Sequence, residues 1–216
     1  GYISISVDIR ELAVAPYLIG GAVNFLVWRP DLENISERLA QKLSPKRFKH
    51  SLGVAALAVH MAEANGVSRD KAHLAGLIHD YAREMPADQL FAIAGQLGEN
   101  DEIINSYSVL LHAPVGAFLV RQEFGINDPE ILQAISSHTL GRRKMSQLEQ
   151  IIYLADMIEP DRQYPGVDEL RKKAESGLRE GIIGALEHTI RYLLDAGKPI
   201  HNRTIEARNY LVMGGE

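Results

Sequence analysis

The stretch Ala75-Gly76-Leu77-Ile78-His79-Asp80 decides how the rest of the chain is read. A small, apolar run delivers a histidine and an aspartate side by side. On a helix, neighbours point about 100° apart. One ion lying between them can take a nitrogen from His79 and an oxygen from Asp80, and the second Asp80 oxygen is left for a second ion. The pair gains weight from its counterparts elsewhere. His50 lies 29 residues before His79, His112 lies 33 after it, His138 lies 26 further and Asp156 another 18 beyond. Each of these four sits in an apolar or small-residue helical context, where an ionisable group needs a partner.

Composition narrows what can hold such an ion. The 216 residues include no cysteine, which excludes disulfides, iron–sulfur clusters and thiolate zinc sites. Any metal must be held by imidazole and carboxylate. The net charge of −5 argues against a nucleic-acid partner, which calls for a basic footprint. No apolar run reaches the ~20 residues of a membrane span, and the N-terminus lacks the layout of a signal peptide. The expectation is a cytoplasmic protein without membrane or nucleic-acid partners.

From Leu32 onward the periodicity is helical. Leu32, Ile35, Leu39 and Leu43 share a face; Ser44-Pro45 opens a second helix that stops at Asn65-Gly66; Ser68 caps a third that runs into His79-Asp80. Pro86 opens a short helix to about Leu97, while residues 98–111 show no clear pattern. His112-Ala113-Pro114 begins the next helix, and Asp128-Pro129 starts another that leads to His138. Thr139 to Lys144 form a basic loop. Ser146 and Glu149 form a capping box for a helix that carries Asp156 and ends at Pro160. Residues 167–175, 178–196 and 203–212 read as three more helices. The fold class is therefore all-α over a domain 31–216, preceded by a short arm, residues 1–30, whose opening alternates like a strand.

Four histidines and two aspartates suit two divalent ions with room left for water. The ligand set alone fits manganese, iron, cobalt, nickel or zinc. In two-metal sites the ions sit roughly 3.5–4 Å apart and need a shared carboxylate, for which Asp80 is the candidate. Histidine ligation predicts that metal binding weakens as pH falls through roughly 6 to 5. His60, 10 residues past His50, falls about 80° off its helix face and is not expected as a ligand, and His73, His188 and His201 lack matching partners and read as structural or surface residues.

The segments Arg47-Phe48-Lys49-His50, Ala75 to Arg83, His112-Ala113-Pro114-Val115-Gly116-Ala117, Ser137-His138-Thr139-Leu140-Gly141-Arg142 and Tyr153 to Arg162 resemble the HD superfamily. The His-Ala-Pro-Val-Gly-Ala and Ala-Asp-x-Ile-Glu-Pro-x-Arg segments are similar to its YqeK family, the bacterial symmetrical diadenosine tetraphosphatases. The resemblance covers roughly residues 35–212 and implies an HD-domain helical bundle. It implies one iron held by His50, His79, Asp80 and Asp156 and another held by Asp80, His112 and His138. It further implies hydrolysis of diadenosine tetraphosphate to two ADP by a hydroxide on the metal pair; manganese, cobalt or zinc are the alternatives to iron. The chain has Arg83 where the family often has Lys, and Leu140 where it often has Thr. Ile3 to Arg10 has a fainter similarity to a segment near the end of bacterial nicotinate-nucleotide adenylyltransferases.

Asp80 and Arg83 are the expected catalytic residues. Arg83, Thr139, Arg142 and Arg162 follow the metal motifs closely and are the expected substrate contacts, the guanidinium fork being suited to phosphate. A homodimer is a further expectation. Three rival functions share the ligand set: another HD phosphohydrolase acting on a nucleoside mono- or triphosphate or a cyclic nucleotide, a non-catalytic nucleotide sensor, and a di-iron oxygenase.

Overall fold

The computed structural model describes residues 31–98 and 101–215. The expected N-terminal arm, with its similarity to adenylyltransferase tails, lies outside the described residues. Those residues form eleven α-helices and no strand: α1 (Leu32–Lys42), α2 (Pro45–Ala64), α3 (Arg69–Ile78), α4 (Ala87–Gln96), α5 (Glu102–Ser106), α6 (His112–Phe124), α7 (Pro129–Ser137), α8 (Gln147–Ile158), α9 (Val167–Glu175), α10 (Leu178–Asp195) and α11 (Asn202–Val212).

Most helix starts are set by local chemistry. Asp31, Ser44, Ser68 and Asp128 each accept a backbone N–H from the first turn of α1, α2, α3 and α7. Ser146 and Glu149 complete a reciprocal capping box on α8. Caps of this kind contribute about 1 kcal/mol each. The structure departs from the sequence reading in two places. Residues 101–111 hold the five-residue α5 and a single 3₁₀ turn, Ser108–Leu110, both too short to leave a periodic signal. Helix α3 stops at Ile78, and the chain continues through tight turns in which Tyr81, Arg83 and Met85 donate to carbonyls three residues back. His79 and Asp80 therefore lie at a helix end rather than on a helix face.

The main core joins α1, α2, α3, α7 and α8 through Leu39, Val54, Leu74, Ile78, Ile135 and Ile151, all buried. Fully burying each such side chain contributes roughly 1.5–3 kcal/mol. Helices α2 and α3 meet closely: a Cβ at Gly76 would lie 2.8 Å from Ala55 Cα, a distance only glycine permits. A second cluster packs Tyr153, Leu154, Ile182, Leu186 and Leu211 from α8, α10 and α11. A third, with Ala82, Leu90, Ile104, Leu111 and Val115, holds the segment before His112. No described helix is long and apolar enough to cross a membrane. All six expected ligands come from elements that meet around this core: α2, the end of α3, the start of α6, the end of α7, and α8.

Candidate metal centre

His50, His79, Asp80, His112 and His138 are buried and Asp156 is nearly so, and their donor atoms converge. Asp80 divides the cluster. Its Oδ1 lies 3.1 Å from His112 Nε2 and 3.6 Å from His138 Nε2. Its Oδ2 lies 3.4 Å from His79 Nε2 and 3.8 Å from His50 Nε2. Asp156 Oδ1 is 2.9 Å from His50 Nε2 and 3.7 Å from His79 Nε2. One carboxylate thus faces two groups of ligands, as a bridging role requires.

The orientation of the imidazoles follows from where helices end. The last carbonyls of a helix have no intrahelical partner. His79 Nδ1–H donates to the Gly76 carbonyl (2.7 Å) and His138 Nδ1–H to the Ile135 carbonyl (2.7 Å), each three residues back. His112 does the same with Val109, at the end of the 3₁₀ turn, at 2.5 Å. One local device fixes three tautomers and turns three Nε2 atoms inward. The α3 and α7 C-termini also aim the negative ends of their dipoles at the cluster, which favours cations. His50 sits inside α2 and has no free carbonyl beneath it. Its Nδ1–H instead donates to Glu159 Oε1 at 3.0 Å, across 109 residues of sequence.

These residues fit divalent ions. With Nδ1 carrying the proton, His112 Nε2 and His138 Nε2 present lone pairs to one another at 3.0 Å, a contact that calls for a cation beside it. His79 Nε2 is buried without a hydrogen-bond partner. The metal-free cluster must find positive charge another way. Burial opposes a proton on His79, but the negative charges of Asp80 and, 3.7 Å away, Asp156 outweigh it and carry its pKa up to about 10. Burial also opposes ionisation of Asp80 and Asp156. His79, His112 and His138 nevertheless hold Asp80 well below the usual carboxylate range, and His50, His79 and Arg162 do so for Asp156. Burial, with the neighbouring His138, keeps His112 below its ordinary value, toward the neutral form a metal needs.

Beside the cluster lies a cavity of about 270 Å³. Arg83, Thr139 and Arg162 line it. Arg142 does not. Its guanidinium makes a two-pronged ion pair with Glu149, 2.6 Å on each side. Glu149 is buried, so its carboxylate requires such a partner. The same Glu149 accepts from Ser137 Oγ at 2.8 Å, so Arg142 steadies the turn that carries His138. Sequence reasoning overlooked Arg47, which donates to Asp80 Oδ2 at 2.8 Å and lines the cavity, and Glu159, the support of His50. Both lie inside the quoted motifs, Arg47 three residues before His50 and Glu159 three after Asp156. Tyr153 and Thr189, 3.3 Å apart through their hydroxyls, complete the far wall. The remaining histidines stay out: His60 is exposed, His188 packs on Tyr164 with ring centroids 5.0 Å apart, and His201 caps α11.

Comparison with known proteins agrees with this geometry. The family model for the HD domain matches residues 47–161, the interval from Arg47 to the turn after Glu159. The chain is 41% identical over 171 residues to the symmetrical bis(5'-nucleosyl)-tetraphosphatase of Halalkalibacterium halodurans, covering 79% of this chain and 91% of the relative. It is 40% identical over 184 residues to the protein of the same name from Bacillus subtilis, covering 84% and 99%. A crystal structure from Clostridium acetobutylicum, described as a predicted HD superfamily hydrolase involved in NAD metabolism, superposes with a TM-score of 0.82 at 42% identity. It covers 85% of this chain and 97% of that one. With the six convergent histidine and aspartate residues inside the matched interval, the chain belongs to the HD-domain family.

Proposed function

We propose that this chain is a symmetrical bis(5'-nucleosyl)-tetraphosphatase that splits diadenosine tetraphosphate with water into two molecules of ADP. The observation that carries the reading is the pairing of a six-ligand cluster with near full-length similarity to two proteins bearing that name. Iron is the ion this reading favours, with manganese, cobalt or zinc as substitutes. When bound, two divalent ions supply an activated water and a clamp for phosphoryl oxygens.

The chain's own residues do the rest. Asp80 offers one oxygen to each half of the ligand set, and the three carbonyl-anchored imidazoles need no reorganisation to receive an ion. Arg83, Thr139 and Arg162 line the cavity on which a polyphosphate would lie, and charge-assisted contacts from two guanidiniums orient it. The cavity volume falls below the range that encloses a drug-sized ligand. In the reaction a water oxygen bonds to a phosphorus beside the central bridging oxygen. The bond from that phosphorus to the bridging oxygen breaks, and the second ADP leaves with it.

The test is product identity. Incubated with diadenosine tetraphosphate and manganese, cobalt or ferrous ion, the chain should release ADP alone. ATP and AMP as main products would overturn the symmetrical assignment, and no turnover with any of these ions would overturn the enzyme reading.

A further inference from the structure

The start of α11 touches two segments that meet at the metal centre, yet lies beyond residue 161, where the family match ends. Thr204, 1% exposed, donates its hydroxyl to the Leu140 carbonyl at 2.8 Å. Leu140 follows His138 and Thr139, both of which line the cavity. Just before α11, buried His201 accepts the Arg203 N–H on Nδ1 at 3.0 Å. That acceptor role puts the ring proton of neutral His201 on Nε2, which lies 3.1 Å from Asp101 Oδ2. The other Asp101 oxygen caps α5, accepting the N–H groups of Ile103 and Ile104. From α5 the chain runs through short turns, in which Tyr107 donates to Ile104 and Leu110 to Tyr107, into the cavity lining at Val109, Leu110 and His112. A five-residue helix and a single 3₁₀ turn have too few hydrogen bonds to hold their own place. Tertiary contacts must place them.

We infer that the start of α11 is a clasp, with His201 and Thr204 as its positioning residues, that sets the segment bearing His112 against the turn bearing His138 and Thr139. A carbonyl three residues back turns each imidazole, but the distance between the rings depends on how two segments 26 residues apart meet. Ile104, Leu111 and Leu140 pack together in the third core cluster. Apolar contact of that kind draws the segments together without direction. The contacts of His201 and Thr204 are directional, and they reach one segment each. Gly141, at φ +66°, lets the helix close on the loop: a Cβ there would lie 3.4 Å from Ala207 Cβ. The consequence for ion binding rests on the metallohydrolase reading above. The half of the centre built on His112 and His138 depends on α11, as the half built on His50 depends on Glu159.

The test separates the clasp from simple helix capping. His201→Asn keeps a good N-cap for α11 but is too short to reach Asp101, and Asp101→Ser keeps a cap for α5 but loses the second oxygen. Amide hydrogen exchange is followed by mass spectrometry on the full chain, and Co²⁺ is titrated against a competing chelator. Each variant should speed exchange at residues 107–111 and 139–141 by about 2–5-fold, the size of one partly exposed ion-pair contact. Exchange within α3 should stay as it was. The Co²⁺ site of His112 and His138 should weaken by a similar factor while the site of His50 holds. The double variant should do no more than either single one, because both break the same contact. Thr204→Val leaves the Leu140 carbonyl unpaired and should speed exchange at 139–141 further, and Thr204→Ser, which keeps the hydroxyl, should restore it. Unchanged exchange at 107–111 in His201→Asn would overturn the inference. So would effects that add in the double variant, or equal Co²⁺ loss at both sites. Failure of the unaltered chain to take up Co²⁺ would instead remove the metallohydrolase reading, and the exchange rates would still decide the clasp.

Discussion

Glu159→Ala isolates one half of the metal centre without touching a ligand. Glu159 is 2% exposed, and its Oε1 accepts the Nδ1–H of His50 at 3.0 Å while its Oε2 accepts the Asp161 N–H at 2.7 Å. Removing the carboxylate leaves a buried imidazole N–H without a partner and frees the ring to turn. A hydrogen bond to a charged group contributes about 1.5–3 kcal/mol. At about 1.4 kcal/mol per tenfold, that is roughly 10–150-fold in affinity for the ion that His50 serves. Losses of about 10–100-fold are usual when the support of a ligand histidine is removed. His112 and His138 take their support from backbone carbonyls, so the ion on their side should hold. Titrating the variant with Co²⁺ against a chelator should therefore show two unequal sites, one near its original affinity. Glu159→Gln keeps an oxygen for the imidazole and should lose under about tenfold. Gly53 extends the logic: a Cβ there would stand 2.9 Å from Glu159 Oε2, so Gly53→Ala should weaken the same ion by a smaller factor. Two sites of unaltered affinity in Glu159→Ala, or equal loss at both, would refute the reasoning.

Asp80→Ala should empty both sites, since one carboxylate serves both groups of ligands; elemental analysis showing two ions per chain would refute the bridging role. Arg83→Ala should lower kcat/KM on the order of 10–1000-fold with the ions retained, as loss of a charge-assisted contact does; an unchanged kcat/KM would make Arg83 a surface residue. The histidine pH window also moves. A free imidazole confines the effect to roughly pH 6 to 5, but in the metal-free chain His79 is raised from 6.5 to about 10. Its stabilisation is complete below about pH 6.5 and is lost as pH rises through about 10. Thermal melts of the stripped chain should therefore decline over that window, and Mn²⁺ uptake at neutral pH should release a proton. A flat melting profile together with proton-independent uptake would refute the assignment.

Much of this molecule is legible before any coordinate is seen, and the reason is local. Ser44-Pro45, Asp128-Pro129 and Ser146 with Glu149 mark helix starts through short-range hydrogen bonds, and each does so in the structure. The candidate ligand histidines are legible for a related reason. Three of the four lie at helix ends, where a carbonyl three residues back fixes the ring, so the local pattern itself prepares the ligand. What the sequence hid is which carboxylate each charged side chain meets. Arg142 and Arg162 look alike in sequence, each a few residues past a ligand. One meets the buried Glu149 and is held there; the other meets Asp156 and the cavity. Proximity in the chain cannot separate them, because each has a carboxylate six or seven residues away and only the packing of the helices decides which pair borders the cavity. His50 shows the same division within one residue: its place in the first turns of α2 is local, but its orientation waits for Glu159 from 109 residues away. The orientation of three of the four candidate ligand histidines is thus carried by short-range chemistry, while packing decides which arginine–carboxylate pair borders the cavity.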